Sequence, residues 1–168
     1  GLLFPTSGTY KIDGIPISNY DLARKVQNII SYASQKATIL NASLKNNVCF
    51  GIENSLIDEK KYEKALDISM LREFAESGIG DIPLNDHGKN ISGGQLQRIG
   101  IARAIYFDKE IMIFDESTSS LDVETEGKII NNIKNLNDEK TIIIISHRLE
   151  NLKYCEKIYE IKNGSIFI

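Results

Sequence analysis

The spacing of apolar residues changes repeatedly along the chain, and each change predicts an element. Residues 9–17 alternate apolar and polar positions around Asp13-Gly14, the pattern of a short hairpin. Leu22, Val26 and Ile29-Ile30 recur at helical spacing, and the chain then passes into a strand at 29–33. Residues 41–48 read as helical. Tyr62, Leu66, Met70 and Phe74 fall at four-residue intervals, the stripe of one amphipathic helix, which Gly78, Gly80 and Pro83 end. Residues 95–106 read as a helix and 110–114 as a buried strand. Residues 122–136 form a helix with Ile129, Ile130, Ile133 and Leu136 on one face, and Thr141–Ile145 is a second buried strand. Segments 156–161 and 165–168 flank Asn163-Gly164, a second hairpin signal.

Strands that alternate with helices predict an α/β fold with a mainly parallel sheet. Such sheets bind ligands outside the carboxyl ends of their strands. Both strands read as buried end in polar residues, Asp115-Glu116 and Ser146-His147. The chain shows no repeat and no low-complexity linker, and its 168 residues suffice for one domain with a core.

Charge narrows the partners. A net charge of −3 with no dense Lys/Arg stripe excludes a nucleic acid held by a basic face. Cys49 and Cys155 form no Cys-x-x-Cys pair and read as reduced structural thiols of a cytosolic protein. The longest aliphatic run, the isoleucines 142–145, is far short of the roughly 20 residues of a membrane helix. The segment 1–5 is too short for a signal peptide. A membrane partner would therefore sit on another segment or chain.

Four places carry candidate chemistry. Ser92-Gly93-Gly94-Gln95 has the Ser-x-x-Gln pattern of a capping box, which satisfies free amides at a helix start. The two glycines point further. Capping does not require them, and each costs about 1 kcal/mol inside a helix. They permit close backbone approach, and exposed amides at the positive end of a helix dipole make an anion site. That site has no lysine of its own, so it suits the far side of an already neutralised phosphate. Asp115 and Glu116 come next. Adjacent carboxylates repel unless a cation is present; Asp115 suits a magnesium shell, and Glu116 suits general-base activation of water. His147 could donate to a terminal phosphate, while His87 reads as a surface residue. Gln35 alone is an ordinary loop residue, and Ser119, Ser120, Leu121 and Asp122 alone read as a helix N-terminus.

In this order and spacing, the motifs resemble the nucleotide-binding domain of ABC transporters, over essentially the whole chain. Ile91-Ser-Gly-Gly-Gln95 is similar to the family signature LSGGQ, with Ile for Leu. Ile111–Asp115 resembles the Walker B strand and Glu116 the catalytic glutamate. Residues 119–122 resemble the D-loop, and His147 the switch histidine. Gln35 matches the Q-loop glutamine, although Ser34 stands where the family often has proline. The runs 5–8 and 12–14 also match. Residues 84–88 resemble the exporter x-loop, with Asp86 in place of the usual glutamate, and residues 33–51 resemble the exporter stretch after the Q-loop.

The resemblance implies a P-loop NTPase-like (RecA-like) fold. Residues 1–35 and 91–168 would form its core and 36–90 an inserted helical subdomain. It implies ATP and Mg2+ as ligands and a two-fold dimer sandwiching two ATP molecules. Ser92, Gly93, Gly94, Gln95 and the D-loop Asp122 would face the nucleotide held by a second copy. Asp115 and Gln35 would help hold magnesium and water, Glu116 would polarise the attacking water, and His147 would contact the γ-phosphate. A transmembrane domain would be the other partner, with this domain on the cytoplasmic face of the inner membrane. The cargo would be chosen by the membrane part, lipid or lipid-linked oligosaccharide being the class to examine first.

The chain contains no Gly-x4-Gly-Lys-Ser/Thr. The family places that P-loop, and an adenine-stacking aromatic, upstream of the segment that begins here at Gly1. The chain thus reads as a piece starting just after the P-loop helix, expected to bind ATP poorly and not to turn it over alone. The alternatives are a soluble ABC ATPase of translation or DNA repair and an inactive dimerisation module. The short spacing from Gln35 to Ser92 leaves no room for long coiled-coil arms, and intact Glu116 and His147 argue against degeneracy.

Overall fold

The computed structural model describes residues 3, 5–12, 14–84, 91–136 and 140–167. Asp13 of the first hairpin, His87 and most of the 84–88 stretch lie outside them.

Polar residues set the helix starts. Helices α1 (Asn19–Ile29), α2 (Leu44–Val48) and α3 (Glu59–Ile68) are capped by Ser18, Ser43 and Asp58. After α4 (Arg72–Glu76), helices α5 (Gly93–Phe107) and α6 (Val123–Lys134) are capped by Ser92 and Asp122. In all five capped cases the side-chain oxygen accepts the backbone N–H three residues on, satisfying an otherwise orphaned donor.

Strands β1 (Tyr10–Ile12) and β2 (Ile15–Ile17) form the first antiparallel hairpin. A parallel sheet follows, made of β3 (Ile30–Ala33), β4 (Ile111–Asp115) and β5 (Thr141–Ile145), with β4 in the centre. The last hairpin joins β6 (Glu160–Lys162) to β7 (Ser165–Phe167) through Asn163 and Gly164, both at positive φ (50° and 76°), as its two-residue turn requires.

Three sequence expectations need correction. The stripe from Tyr62 to Phe74 is two helices, not one. Met70 adopts φ 56°, and Leu71 N–H bonds back to Leu66 O at 2.8 Å, a helix-ending pattern. Arg98 of α5 donates to Met70 O at 2.6 Å and holds the break. Four-residue spacing survives such a break because both short helices turn their apolar residues into the same core. The helix read over 41–48 begins only at Leu44, because Ser43 caps it. Finally, β5 is not buried on both faces: Ile143 and Ile145 remain 43% and 46% exposed. Among the described residues it is an edge strand, paired with β4 alone.

The sheet's other face is the covered one. Ala33, Met112 and Phe114 are buried there, and Ile142 and Ile144 pack beside them. One apolar core joins these residues to Ile99, Ile101 and Ala102 of α5, to Leu44, Val48, Leu66 and Phe74 from the intervening helices, and to Ile129 and Ile133 of α6. Helix α5 is the shared element, and it fixes the intervening helices relative to the sheet. The carboxyl ends of β3, β4 and β5 lie side by side, with Ala33 opposite Phe114 and Asp115 opposite Ile145. The residues that follow these ends form the site.

Candidate active site

β4 delivers Asp115 and Glu116 at its last position and one beyond. Glu116 N–H donates to Ile145 O at 3.0 Å, extending the ladder by one bond. Its backbone then turns sharply into the left-handed region, at φ 46°. A non-glycine residue there is strained by about 1–3 kcal/mol, and such strain concentrates at functional positions.

The Glu116 side chain meets both neighbouring strand ends. Gln35 Nε2, two residues past β3, donates to Glu116 Oε2 at 2.7 Å. His147 Nε2, two residues past β5, lies 2.6 Å from Glu116 Oε1. Three residues read separately from the sequence therefore meet on one carboxylate. Asp115 is held differently: the Tyr32 hydroxyl of β3 donates to its Oδ2 at 2.6 Å. That bond to a carboxylate is the main cause that pushes the Tyr32 hydroxyl above its ordinary pKa.

Ser92 and Gln95 form the capping box in full. Ser92 Oγ accepts Gln95 N–H at 3.1 Å, and Gln95 Oε1 accepts Ser92 N–H at 2.7 Å. The two glycines between them differ. A Cβ at Gly94 would meet Leu121 Cδ2 at 3.1 Å, so packing against the loop after Glu116 accounts for that glycine. A Cβ at Gly93 would make only ordinary contact, 3.8 Å to Ser120 Cβ. Packing does not account for Gly93. Asp122 is the α6 cap, its Oδ1 accepting Thr125 N–H at 2.9 Å, and this bond holds its carboxyl below the usual range.

Sequence reasoning passed over several residues here. Gln97 and Glu126 are buried, at 3% and 2% exposure. Gln97 amide atoms contact the Gln35 and Glu116 carbonyls and residues 119–120. Arg148 donates to Glu126, to Leu121 O at 3.1 Å and to Ser119 O at 2.9 Å, while Thr118 Oγ1 donates to Glu126 Oε1 at 2.6 Å. One signal could have found both. Gln97 precedes Ile101, Ala104 and Ile105 on the buried stripe of α5, and Glu126 precedes Ile129, Ile130 and Ile133 on that of α6. A polar residue on an apolar stripe must have buried partners.

Comparison with known proteins shows the family. The ABC transporter family model matches residues 1–119. The ATP-dependent lipid A-core flippase of Pseudoalteromonas translucida is 37% identical over 161 residues, spanning 92% of this chain and 27% of that protein. The beta-(1-->2)glucan export ATP-binding/permease protein NdvA of Agrobacterium vitis is 36% identical over 164 residues, spanning 96% of this chain and 28% of that protein. A solved bacterial Atm1-family ABC exporter with ATP bound superposes with a TM-score of 0.77 at 25% identity, over 89% of this chain and 26% of that one. The chain belongs to the ABC transporter family, as a nucleotide-binding domain of the exporter type. It spans about a quarter of the length of the bacterial relatives named here.

Proposed function

We propose that this chain is the greater part of an ATP-hydrolysing domain that drives export or flipping of a substrate across a membrane. The observation that carries the reading is the meeting of Gln35, Glu116 and His147 at the ends of three adjacent strands. Glu116 is the general base: a carboxylate that takes the proton of the attacking water. Gln35 donates to it, and His147 Nε2 lies beside it. In the ATP-bound domain these two side chains turn to the water and the γ-phosphate, which leaves the carboxylate free to accept a proton.

Asp115 and Gln35 supply oxygen donors that suit Mg2+, which is held by one or two carboxylates together with phosphate oxygens and water. The ion would neutralise phosphate charge when bound; Asp115 would hold it, and the Tyr32 hydroxyl keeps Asp115 oriented. Ser92, Gly93, Gly94 and Gln95 contact the nucleotide of a second copy, in a two-fold dimer with two ATP sites, and Asp122 ends the loop at that interface. Residues 36–90 are the helical subdomain and meet a transmembrane domain at the cytoplasmic face. Lipids and lipid-linked oligosaccharides are the cargo class to test first, since the relatives named above include a lipid A-core flippase and a glucan exporter. Without a P-loop sequence, these 168 residues alone bind ATP weakly and do not turn it over.

The test is Glu116→Gln in the full-length protein. Turnover should fall by about 10²–10⁴, the scale of a lost general base, while ATP still binds. Turnover close to wild type would remove Glu116 from the role, and with it this reading of the site.

A further inference from the structure

We propose that Gln97 is a positioning residue, tying the segment of Gln35 and the turn of Glu116 to the helix that carries Ser92–Gln95. This rests on the function proposed above. Gln97 does not reach the reacting atoms in any described contact; it acts through the backbone of the residues that do.

One amide joins three segments. Gln97 Oε1 accepts Ser120 N–H at 2.7 Å. Its Nε2 donates to Ser119 Oγ at 2.9 Å and to Gln35 O at 3.3 Å, and reaches Glu116 O at 3.5 Å, the outer limit of a hydrogen bond. The carbonyls of Gln35 and Glu116 thus lie on the same donor group, while their side chains bond each other at 2.7 Å. The left-handed turn at Glu116 needs surrounding structure to hold it. Its carbonyl accepts Ser119 N–H at 3.2 Å, and Gln97 bears on both Ser119 and that carbonyl.

The position of Gln97 on α5 gives this a consequence. It stands two residues after Gln95, within the first turns of the helix. In the dimer, the start of α5 faces one nucleotide, while Glu116 acts on the other. A shift of α5 on closing over the first nucleotide is then carried by Gln97 to Gln35 and Glu116 together.

Gln97→Glu in the full-length protein tests it. The variant keeps the acceptor for Ser120 but turns the donor end into an acceptor facing three oxygens. The expected result is a fall in kcat of about 10- to 100-fold, with KM and ATP affinity within about threefold. In a Glu116→Gln background the same change should cost less than about twofold more, because the carboxylate it positions is already gone. Equal loss in both backgrounds, or kcat within about twofold of wild type, overturns the proposal. If Gln97→Glu does not fold, Ser119→Ala removes one exposed acceptor instead. It should lower kcat about two- to fivefold in the wild type and leave Glu116→Gln unchanged, and an unchanged wild-type kcat overturns the proposal. A wild-type protein without ATP hydrolysis, or a fully active Glu116→Gln, would instead sink the parent reading.

Discussion

His147 Nε2 lies 2.6 Å from Glu116 Oε1, although the two residues belong to loops after different strands. The parallel register makes the contact: Asp115 pairs with Ile145, so the residues just beyond each fall side by side. His147 is otherwise open to solvent, its side chain 88% exposed, whereas Glu116 is 24% exposed. On the function proposed above, His147 exchanges this carboxylate for the γ-phosphate, and its exposure leaves the ring room to turn. His147→Ala in the full-length protein is expected to lower ATP turnover by about 10²–10³, the scale of a lost transition-state donor. KM should change little. Steady-state kinetics measure both, and a rate within about threefold of wild type would leave His147 as a resting partner of Glu116 only.

The Arg148–Glu126 pair predicts a stability effect next to the site. Glu126 is buried, and Arg148 and the Thr118 hydroxyl are among its partners. Arg148→Ala removes a cation from beside a buried carboxylate, which costs about 3–5 kcal/mol when such pairs are broken from one side. Adding Glu126→Gln should recover more than half of this, because a neutral amide is cheaper to bury than a charge that has lost its cation. Thermal unfolding of the two variants measures the difference. Equal destabilisation in the single and double variants would mean that the carbonyls of Ser119 and Leu121, not Glu126, are what Arg148 supports.

Much of this was readable from apolar spacing. Helices α5 and α6 are visible from their helical spacing, and strands β4 and β5 from short continuous apolar runs that end in polar residues. Gln35, Glu116 and His147 were legible as residues just past strands, and the motif order linked them. Their meeting on one carboxylate was not legible, because it depends on strand order and register, which local pattern does not encode. The break at Met70 was hidden for a related reason: its cause, the hydrogen bond from Arg98, comes from a distant segment. Tyr32 escaped because an aromatic residue in a strand has an ordinary packing explanation, and nothing local reveals Asp115 beside it.

Cys49 sets an alkaline limit. Burial pushes its thiol from an ordinary value of about 9 up to about 11. The folded state therefore favours the neutral thiol. Its contribution is complete below pH 9 and is lost as pH rises toward 11, because the unfolded chain releases the proton first. The buried Tyr62 hydroxyl, raised chiefly by burial, acts in the same direction. Calorimetry at about pH 8 and about pH 10.5 should show a lower Tm at the higher value. Cys49→Ala should narrow that difference without abolishing it. A thiol reagent should reach Cys49 only on unfolding, and rapid labelling of the folded protein at neutral pH would contradict its burial.

The tight fit of Gly100 against the segment after β3 gives a prediction that separates activity from stability. A Cβ placed on Gly100 of α5 would lie 2.9 Å from Ala37 Cβ. Neither atom can swing away, since both are fixed to backbone, so Gly100→Ala must displace the segment that holds Ala37. Gln35 lies two residues upstream in that segment and donates to Glu116. Overpacking costs about 1–3 kcal/mol, but alanine regains roughly 1 kcal/mol of helix propensity over glycine. Stability should therefore fall by no more than about 2 kcal/mol. Catalytic geometry is less forgiving: a misplacement of about 1 Å can cost two orders of magnitude in rate, and a tenfold or greater loss of ATP turnover is expected. Ala37→Gly removes the obstructing atom, so the double variant Gly100→Ala/Ala37→Gly should return most of the activity. If it stays as slow as Gly100→Ala alone, the glycine matters for something other than clearance at Ala37.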